Sequence, residues 1–504
     1  MMDSKGPRAD KMDSALTKEE PVQAPRRDTP EEIHRKALRE FGRTHYAQLC
    51  ASYERHRYFH EYLDHLISRQ VPPGASVLDI GCGNGNLLAR LNPAVGIGID
   101  LNTAAICEAK DRYPTFAFHA CAAEDMCSLN LPKMDYVIVS GVLQQIYDLH
   151  TMLAEIAAVC HSGTRIIFCT YSRLWHPLIR FAEMAGRKLS LPVESWIPAD
   201  EIVSLLEQGN FEVVRQRPGV LMPLRIPVLS NAINRWIAPL PGFRHLPLCT
   251  LTVARPLPAA AEQKIESASV IIPVRNEAGN IESLLSRMPV LAQKQEIIFV
   301  EGNSTDNTWE AVQNAVRSYR GPLKLSAMRQ DGKGKGDAVR KGFGAATGDI
   351  LMILDGDISV PPEELPRFVS LIREGKCEFA NGSRLVYPME KQAMQFLNMI
   401  ANKCFGHLFT YLLGQRIRDT LCGTKVLTRE NYHRIAAHRA YFGDFDPFGD
   451  FDLLFGAARL NLKISDVPVH YKQRVYGTTN ISRFRHGVML LRMCLFAARK
   501  ITFI

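Results

Sequence analysis

The sequence predicts an α/β protein built of two successive Rossmann-like domains. Three observations carry that expectation. Short apolar strands alternate with helical stretches in two separate series, beginning at SVLDIG (76–81) and at SVIIPV (269–274). Each series carries glycines and carboxylates where its strands end, the place where open α/β sheets bind ligands. Between them ARPLPAAAEQKIES (254–267) breaks the periodicity and reads as a linker. A length of 504 residues also exceeds what one hydrophobic core usually supports.

Composition narrows the class. The hydrophobic fraction of 46% and charged fraction of 22% are those of a globular protein. The chain has no run of about 18 uncharged apolar residues, so a spanning helix is not expected. MMDSKGPRADKMDS lacks the apolar core of a signal peptide, so export is not expected. The twelve cysteines contain no C-x-x-C pair and read as free thiols of a reducing compartment. The net charge is +9, and seven cations, from Lys472 to Lys500, follow Asp466 in the sequence with no acidic residue among them. Such a basic tail points to phosphate groups or an acidic lipid surface.

Residues 1–28 are polar and read as a disordered tail. Thr29-Pro30-Glu31-Glu32 is a helix start, with Thr29 as N-cap, Pro30 at the first helical position and Glu32 closing a capping box. In the aromatic and histidine-rich helix that follows, His56 and His60 share a face; with no third ligand in view, packing outweighs metal binding. SVLDIG, GIGID, YVIVSG and RIIFCTY then fit buried parallel strands, as do SVIIPV, EIIFVEG and DILMILDGD in the second series. The domains expected are 29–253 and 268–485, followed by an amphipathic helix over 486–504.

In the first series, VLDIGCGNGN (77–86) runs from a strand through Asp79 into Gly81, Gly83 and Gly85, which let backbone approach a ligand closely. Asp100 ends the next strand, where a carboxylate can hold both ribose hydroxyls. Position 86 is Asn, so the third glycine of an NAD-binding turn is absent. With Ala123-Glu124-Asp125-Met126 and VIVSGVLQQIYD, this series resembles a class I methyltransferase of the ubiquinone/menaquinone-biosynthesis type over roughly residues 40–255. The resemblance implies S-adenosylmethionine as cofactor. Gly81 to Gly85 would wrap its methionine part, Asp100 its ribose, and Glu124, Asp125 and Met126 its adenine. Tyr147, Asp148, His150, Tyr171 and His176 follow strands four and five; the catalytic base stays open among them, and so does the methyl acceptor.

The second series places IIPVRNE (271–277), VEGNSTDNT (300–308), GKGKGDAVRKG (332–342) and ILMILDGD (350–357) in order. These motifs resemble a family 2 glycosyltransferase of the GT-A fold, most closely the dolichyl- and polyprenyl-phosphate sugar transferases, over about 268–490. The resemblance implies a nucleotide-sugar donor. Asp355 and Asp357, at a strand end, suit Mg²⁺ or Mn²⁺, hard cations that would clamp the donor diphosphate. Pro273, Arg275, Glu277, Glu301, Ser304 and Asp306 would surround the nucleobase and ribose, and Lys335 the base or phosphates. The family's paired aspartates are Glu301-Gly302 here, which leaves the donor open, and Ser359 replaces a further metal ligand of the branch. Arg384 and Arg474 resemble phosphate-binding arginines, whose planar fork grips phosphate oxygens. DTLCGTK (419–425), led by Asp419, resembles the block before the acceptor site.

The acceptor decides whether a base is needed. A sugar hydroxyl would call on Asp450 or Asp452, whereas a lipid phosphate needs only cations such as Arg384, Lys391 and Arg474. A polyprenyl phosphate or a glycan is thus the expected acceptor. In the last segment Arg485, Arg492 and Arg499 repeat every seven residues, so an interfacial helix and one packed on its own domain are both open. The expected whole is a bifunctional, cytoplasmic transferase, peripheral at the inner face of an anionic membrane. Two alternatives stand beside it: a glycosyltransferase with a non-catalytic methyltransferase-like scaffold, and a surface-binding protein with two inactive folds. No basic, aromatic-rich patch in the first domain calls for nucleic acid.

Overall fold

The computed structural model describes residues 29–192, 194–257, 265–387, 396–439, 450–474, 476 and 483–503. The expected disordered tail, Lys391 and residues 258–264 of the expected linker lie outside them. Three helices open the described chain: α1 (Pro30–Thr44), α2 (Tyr46–Arg55) and α3 (Arg57–Ser68). The capping box forms as read: Thr29 Oγ1 accepts the Glu32 N–H at 3.2 Å, and the Glu32 carboxylate accepts the Thr29 N–H at 2.7 Å. His60 stacks on Tyr53, and desolvation pushes its pKa down to about 4; the packed reading of this histidine holds.

The first sheet has β1 (Ser76–Ile80), β2 (Val95–Asp100), β3 (Ala117–Ala120), β4 (Met134–Val139), β5 (Cys160–Tyr171), β6 (Phe211–Pro218) and β7 (Cys249–Pro256). Their order is β3-β2-β1-β4-β5-β7-β6. The first five are parallel neighbours, and β7 lies antiparallel between β5 and β6. Strand residues alternate between two cores: Val77, Ile138 and Ile167 face one, Leu78, Val137 and Phe168 the other. A strand buried on both faces must read as a continuous apolar run. The connecting helices are α4 (Asn86–Leu91), α5 (Thr103–Arg112), α6 (Leu149–Ala158), α7 (His176–Met184), α8 (Ala199–Gln208) and α9 (Leu229–Ala232). β7 takes 254–256 from the expected linker, so the first domain ends at Pro256, not at 253.

The second sheet has β8 (Ser267–Val274), β9 (Lys294–Glu301), β10 (Lys324–Arg329), β11 (Ile350–Ile353), β12 (Phe379–Ser383), β13 (Lys425–Thr428) and β14 (Ile464–Pro468). The order is β10-β9-β8-β11-β13-β12-β14, with β13 antiparallel to both its neighbours. Its helices are α10 (Ile281–Ser286), α11 (Thr308–Ser318), α12 (Lys335–Ala345), α13 (Leu365–Arg373), α14 (Phe396–Leu413), α15 (Arg429–Ala437), α16 (Asp450–Arg459) and α17 (Arg483–Ala497). The C-terminal helix is not separate from this domain. Leu490, Met493, Ala497 and Ile501 are buried in the core they share with Phe409 and Leu412 of α14.

The two sheets meet through a buried ionic network. Arg165 of β5 grips Glu378, just before β12, with both carboxylate oxygens at 2.6–2.7 Å, and its Nε donates to the Asn461 carbonyl at 2.7 Å. Arg255 of β7 lies 3.6 Å from the same carboxylate and donates to the Gly375 carbonyl at 2.7 Å. Lys463 crosses the other way, pairing with Glu212 at 2.6 Å. Arg165, Arg255 and Glu378 are all buried.

Candidate active sites

At the carboxyl end of β1 the chain turns with Gly81 at φ +78°, and a Cβ there would come within 2.6 Å of Val142. The turn is tied to β2 by Asp100, whose carboxylate accepts the Gly83 N–H at 2.9 Å and the Asn102 N–H at 2.8 Å. Burial raises the Asp100 pKa, against the pull of those N–H groups. Asp79 is buried within β1, and desolvation, with Asp64 and Asp100 nearby, pushes its carboxyl up to about 8.

A cavity of about 110 Å³ opens here, lined by Gly81, Asp100, Ala122, Glu124, Val142 and Gln145 among others. Its roof is α1. His34 Nε2 lies 2.8 Å from the Gln145 carbonyl, and Arg35 pairs with Asp125 at 2.7 Å and Glu31 at 2.6 Å. Sequence reasoning missed this roof, because nothing in an amphipathic helix names the loop it will cover. Glu124 lines the cavity and accepts the Tyr147 N–H at 3.0 Å. Asp125 points to Arg35 at the surface and Met126 fills the core, so neither side chain lines this cavity.

A larger cavity of about 390 Å³ lies on the same edge of the sheet, at the ends of β5 and β6. Tyr171, Arg173, Arg217, Arg244 and His245 line it, with Asp200 its one carboxylate. Of the residues proposed for the methyl-transfer chemistry, only Tyr171 is here, its pKa raised by burial. His176 rests edge-on against Trp196, and Asp148 caps α6.

In the second sheet, loops from β8, β9, β11 and β12 converge at one edge. The first two are stapled together: Asn276, at φ +58°, donates its N–H to Ser304 Oγ at 3.1 Å and accepts the Thr305 N–H at 2.8 Å. Glu277 is buried on this staple and donates its N–H to Thr308 Oγ1. Burial, then the charge of Asp357, pushes its carboxyl up to about 7. Glu301 accepts the Ser304 N–H, and Asp306 accepts from the Thr308 N–H and hydroxyl at the start of α11. Ser304 and Asp306 therefore hold the loop's shape. Pro273, next to last in β8, is half-buried, and Arg275 is exposed just after the strand.

Asp355 and Asp357 leave β11 side by side with cations. Lys335, the first residue of α12, reaches Asp355 at 2.6 Å, and Arg474 pairs with Asp357. Burial would raise the Asp355 carboxyl, but Lys335, with Arg384 and Lys425, holds it below the usual range. Ile358 follows at φ +55°, a left-handed conformation costly for a β-branched residue, and the Ser359 N–H donates to Asp357 at 3.0 Å. Ser359 thus steadies Asp357. Gly423, in DTLCGTK, lies so close that a Cβ would collide with both Asp355 and Lys335.

Arg384 lies across Tyr471 and is held by Asp419 through two bonds of 2.7 and 2.9 Å. Despite burial, Arg384 keeps the Asp419 carboxyl far below its usual range, and Asn402 of α14 donates to it as well. Arg384, expected to bind phosphate, is thus one half of an ion pair with the buried Asp419. Asp452, expected as a base, is buried on α16 and paired with Arg439 at 2.7 Å. The Asp450 side chain lies outside the described residues.

Residues 53–216 match a family model described as a methyltransferase domain, and residues 269–436 match that of glycosyl transferase family 2. A dolichol-phosphate mannosyltransferase of Pyrococcus furiosus is 36% identical over 137 residues, 27% of this chain and 38% of that protein. An undecaprenyl-phosphate 4-deoxy-4-formamido-L-arabinose transferase of Yersinia enterocolitica is 31% identical over 150 residues, 29% of this chain and 46% of that one. The chain spans less than half the length of these two curated relatives. A magnesium protoporphyrin IX methyltransferase structure from Synechocystis is 15% identical with a TM-score of 0.32, covering 44% of this chain and 99% of that one.

Proposed function

We propose that this chain, a methyltransferase domain joined to a family 2 glycosyltransferase domain, catalyses two transfers. The second domain moves a sugar from a nucleotide-sugar to a polyprenyl phosphate, and the first moves a methyl group from S-adenosylmethionine to an acceptor on a related intermediate. The observation that carries the reading is the Asp355–Lys335 and Asp357–Arg474 pairing at the edge where the nucleotide loops converge.

Two carboxylates at a strand end are hard oxygen donors and fit Mg²⁺ or Mn²⁺. Among the described residues no third His, Cys, Asp or Glu completes a protein-only cage, so phosphate oxygens and water would fill the shell. Such an ion supplies charge neutralisation to the departing diphosphate. The chain's own residues do the rest. Lys335 and Arg474 stand where that charge collects, and Glu277 and Glu301 border the nucleoside. A phosphate oxygen of the acceptor attacks the anomeric carbon as the bond to the diphosphate breaks.

The acceptor oxygen is already ionised, so no base is called for. The pairing of Asp452 with Arg439 supports this acceptor over a glycan hydroxyl. The names of the curated relatives support the same choice. A cytoplasmic, peripheral position at the inner membrane face belongs to this proposal; among the described residues no helix is long and apolar enough to cross a membrane.

The test is a donor screen on the full chain, with Mn²⁺ and a short polyprenyl phosphate, read by mass spectrometry. One nucleotide-sugar should add one sugar mass to the prenyl phosphate. No addition with any donor would refute the reading. For the first domain, Asp100→Ala removes the acceptor of the Gly83 N–H of the turn and of the Asn102 N–H after β2. It should weaken S-adenosylmethionine binding by about tenfold or more in calorimetric titration. Unchanged heat would remove Asp100 from the site, and no heat from the native chain would favour the scaffold alternative.

A further inference from the structure

Between β6 and β7 the first domain departs from its sheet over residues 219–248, a segment with three arginines, one histidine and no carboxylate. It is held firmly from within. Asn234 is buried, accepts the Leu221 and Met222 N–H groups at 2.9 and 2.7 Å, and donates to Tyr58 and the Met222 carbonyl. Yet the segment turns its large apolar side chains outward. Leu224 is 63% exposed and Val228 84%. Val228 also sits at φ +65°, a strained conformation for a β-branched residue, just before α9.

The neighbouring α7 repeats the pattern. Leu178, Phe181 and Met184 are 60–79% exposed, on a helix joined to the segment through Trp175 Nε1 and the Leu246 carbonyl at 2.8 Å. The carboxylate of α7, Glu183, is turned inward and neutralised by Lys188 at 2.7 Å. Arg180 also lies 3.5 Å from Glu183, and Arg173, just before α7, pairs with Glu201 at 2.9 Å; with Arg187 and Lys188, residues 173–188 carry four cations against the one carboxylate Glu183. On its other side the segment meets the end of the chain, where Trp236 stacks on Phe503 and Arg235 donates to the Phe503 carbonyl.

An apolar face this exposed marks an interaction surface, and its partner must tolerate both bare hydrocarbon and one sign of charge. A protein partner would bring carboxylates placed against particular arginines. A bilayer meets both needs without a fixed pattern: side chains such as Phe181 and Val228 enter the acyl boundary, while arginines lie among anionic headgroups. We propose that α7 and residues 219–248 form a docking face by which the methyltransferase domain itself binds an anionic membrane surface. The cationic cavity at the ends of β5 and β6 is lined by Arg244 and His245 of this face and by Arg173 and Leu174, just before α7. Its ligand is thus an anionic molecule presented from the membrane, a deeper statement of the methyl acceptor that rests on the transferase reading above.

The test is sedimentation of the full chain with vesicles of phosphatidylcholine, with and without phosphatidylglycerol. The chain should bind the anionic vesicles and release at high salt. The double variant Phe181→Glu/Met184→Glu, and separately Val228→Asp, should weaken binding by about tenfold or more. Both should keep the native circular dichroism spectrum and S-adenosylmethionine affinity. Native-level vesicle binding by both variants would overturn the proposal, as would failure of the native chain to bind anionic vesicles. So would a native dimer in light scattering that the variants convert to monomer, since the face would then join two copies. Vesicle binding needs no turnover, so its failure and that of the transferase reading are read separately.

Discussion

Asp357→Asn should lower sugar transfer by about a thousandfold, the scale seen when one preorganised charge is removed from a transition state. The substitution keeps the size of the side chain and its contact with the Ser359 N–H. It removes the charge that faces Arg474 and that helps raise Glu277. Asp355→Asn should act as strongly, because Lys335 would then lose the carboxylate that places it at the head of α12. Steady-state assays across a range of Mn²⁺ concentrations separate the causes. A metal role predicts that higher Mn²⁺ recovers part of the lost rate. A loss insensitive to Mn²⁺ would leave these aspartates as partners of the two cations alone.

The second large effect falls between the domains. Glu378→Ala leaves Arg165 and Arg255 buried without the carboxylate they share. Breaking one partner of a buried ionic group costs about 3–5 kcal/mol. Lys463 also loses the acceptor of its backbone N–H. Denaturant unfolding should show a lower midpoint and separate transitions for the two domains. One cooperative transition at the native midpoint would show that the network does not couple them. The pH dependence has a definite sign. Burial opposes ionisation of Glu378, but the two arginines hold its pKa below the usual value. Its contribution is therefore complete above the unfolded carboxylate value of about 4.3 and is lost as pH falls below it.

What the sequence made legible was local. A strand running into glycine and carboxylate fixes its own turn, so Gly81, Asp100, Asp355 and Asp357 stand at strand ends as read. The capping box of α1 is equally local, a matter of four successive residues. What escaped depends on distant partners. Arg165 and Glu378 are 213 positions apart, and neither carries a motif. Strand β7 follows a proline-rich excursion that hides the sheet it returns to. Residue type suggests a base at Asp452 and a family resemblance a phosphate ligand at Arg384, whereas Arg439 and Asp419 are the partners each one meets. A carboxylate or guanidinium advertises its chemistry in sequence; its counterion does not. The exposure of Phe181, Met184 and Val228 was equally hidden, because apolar residues in a globular sequence read first as core.

The central claim is that two independent transferase sites share one chain. Its most direct measurement is paired calorimetry on the full protein: S-adenosylmethionine in one titration, a nucleoside diphosphate with Mn²⁺ in the other, each on the native chain, Asp100→Ala and Asp357→Asn. Each ligand should bind the native chain at one site, with Asp100→Ala weakening only the first and Asp357→Asn only the second. Absence of either ligand's heat in the native chain, or loss of both ligands in both variants, would contradict it.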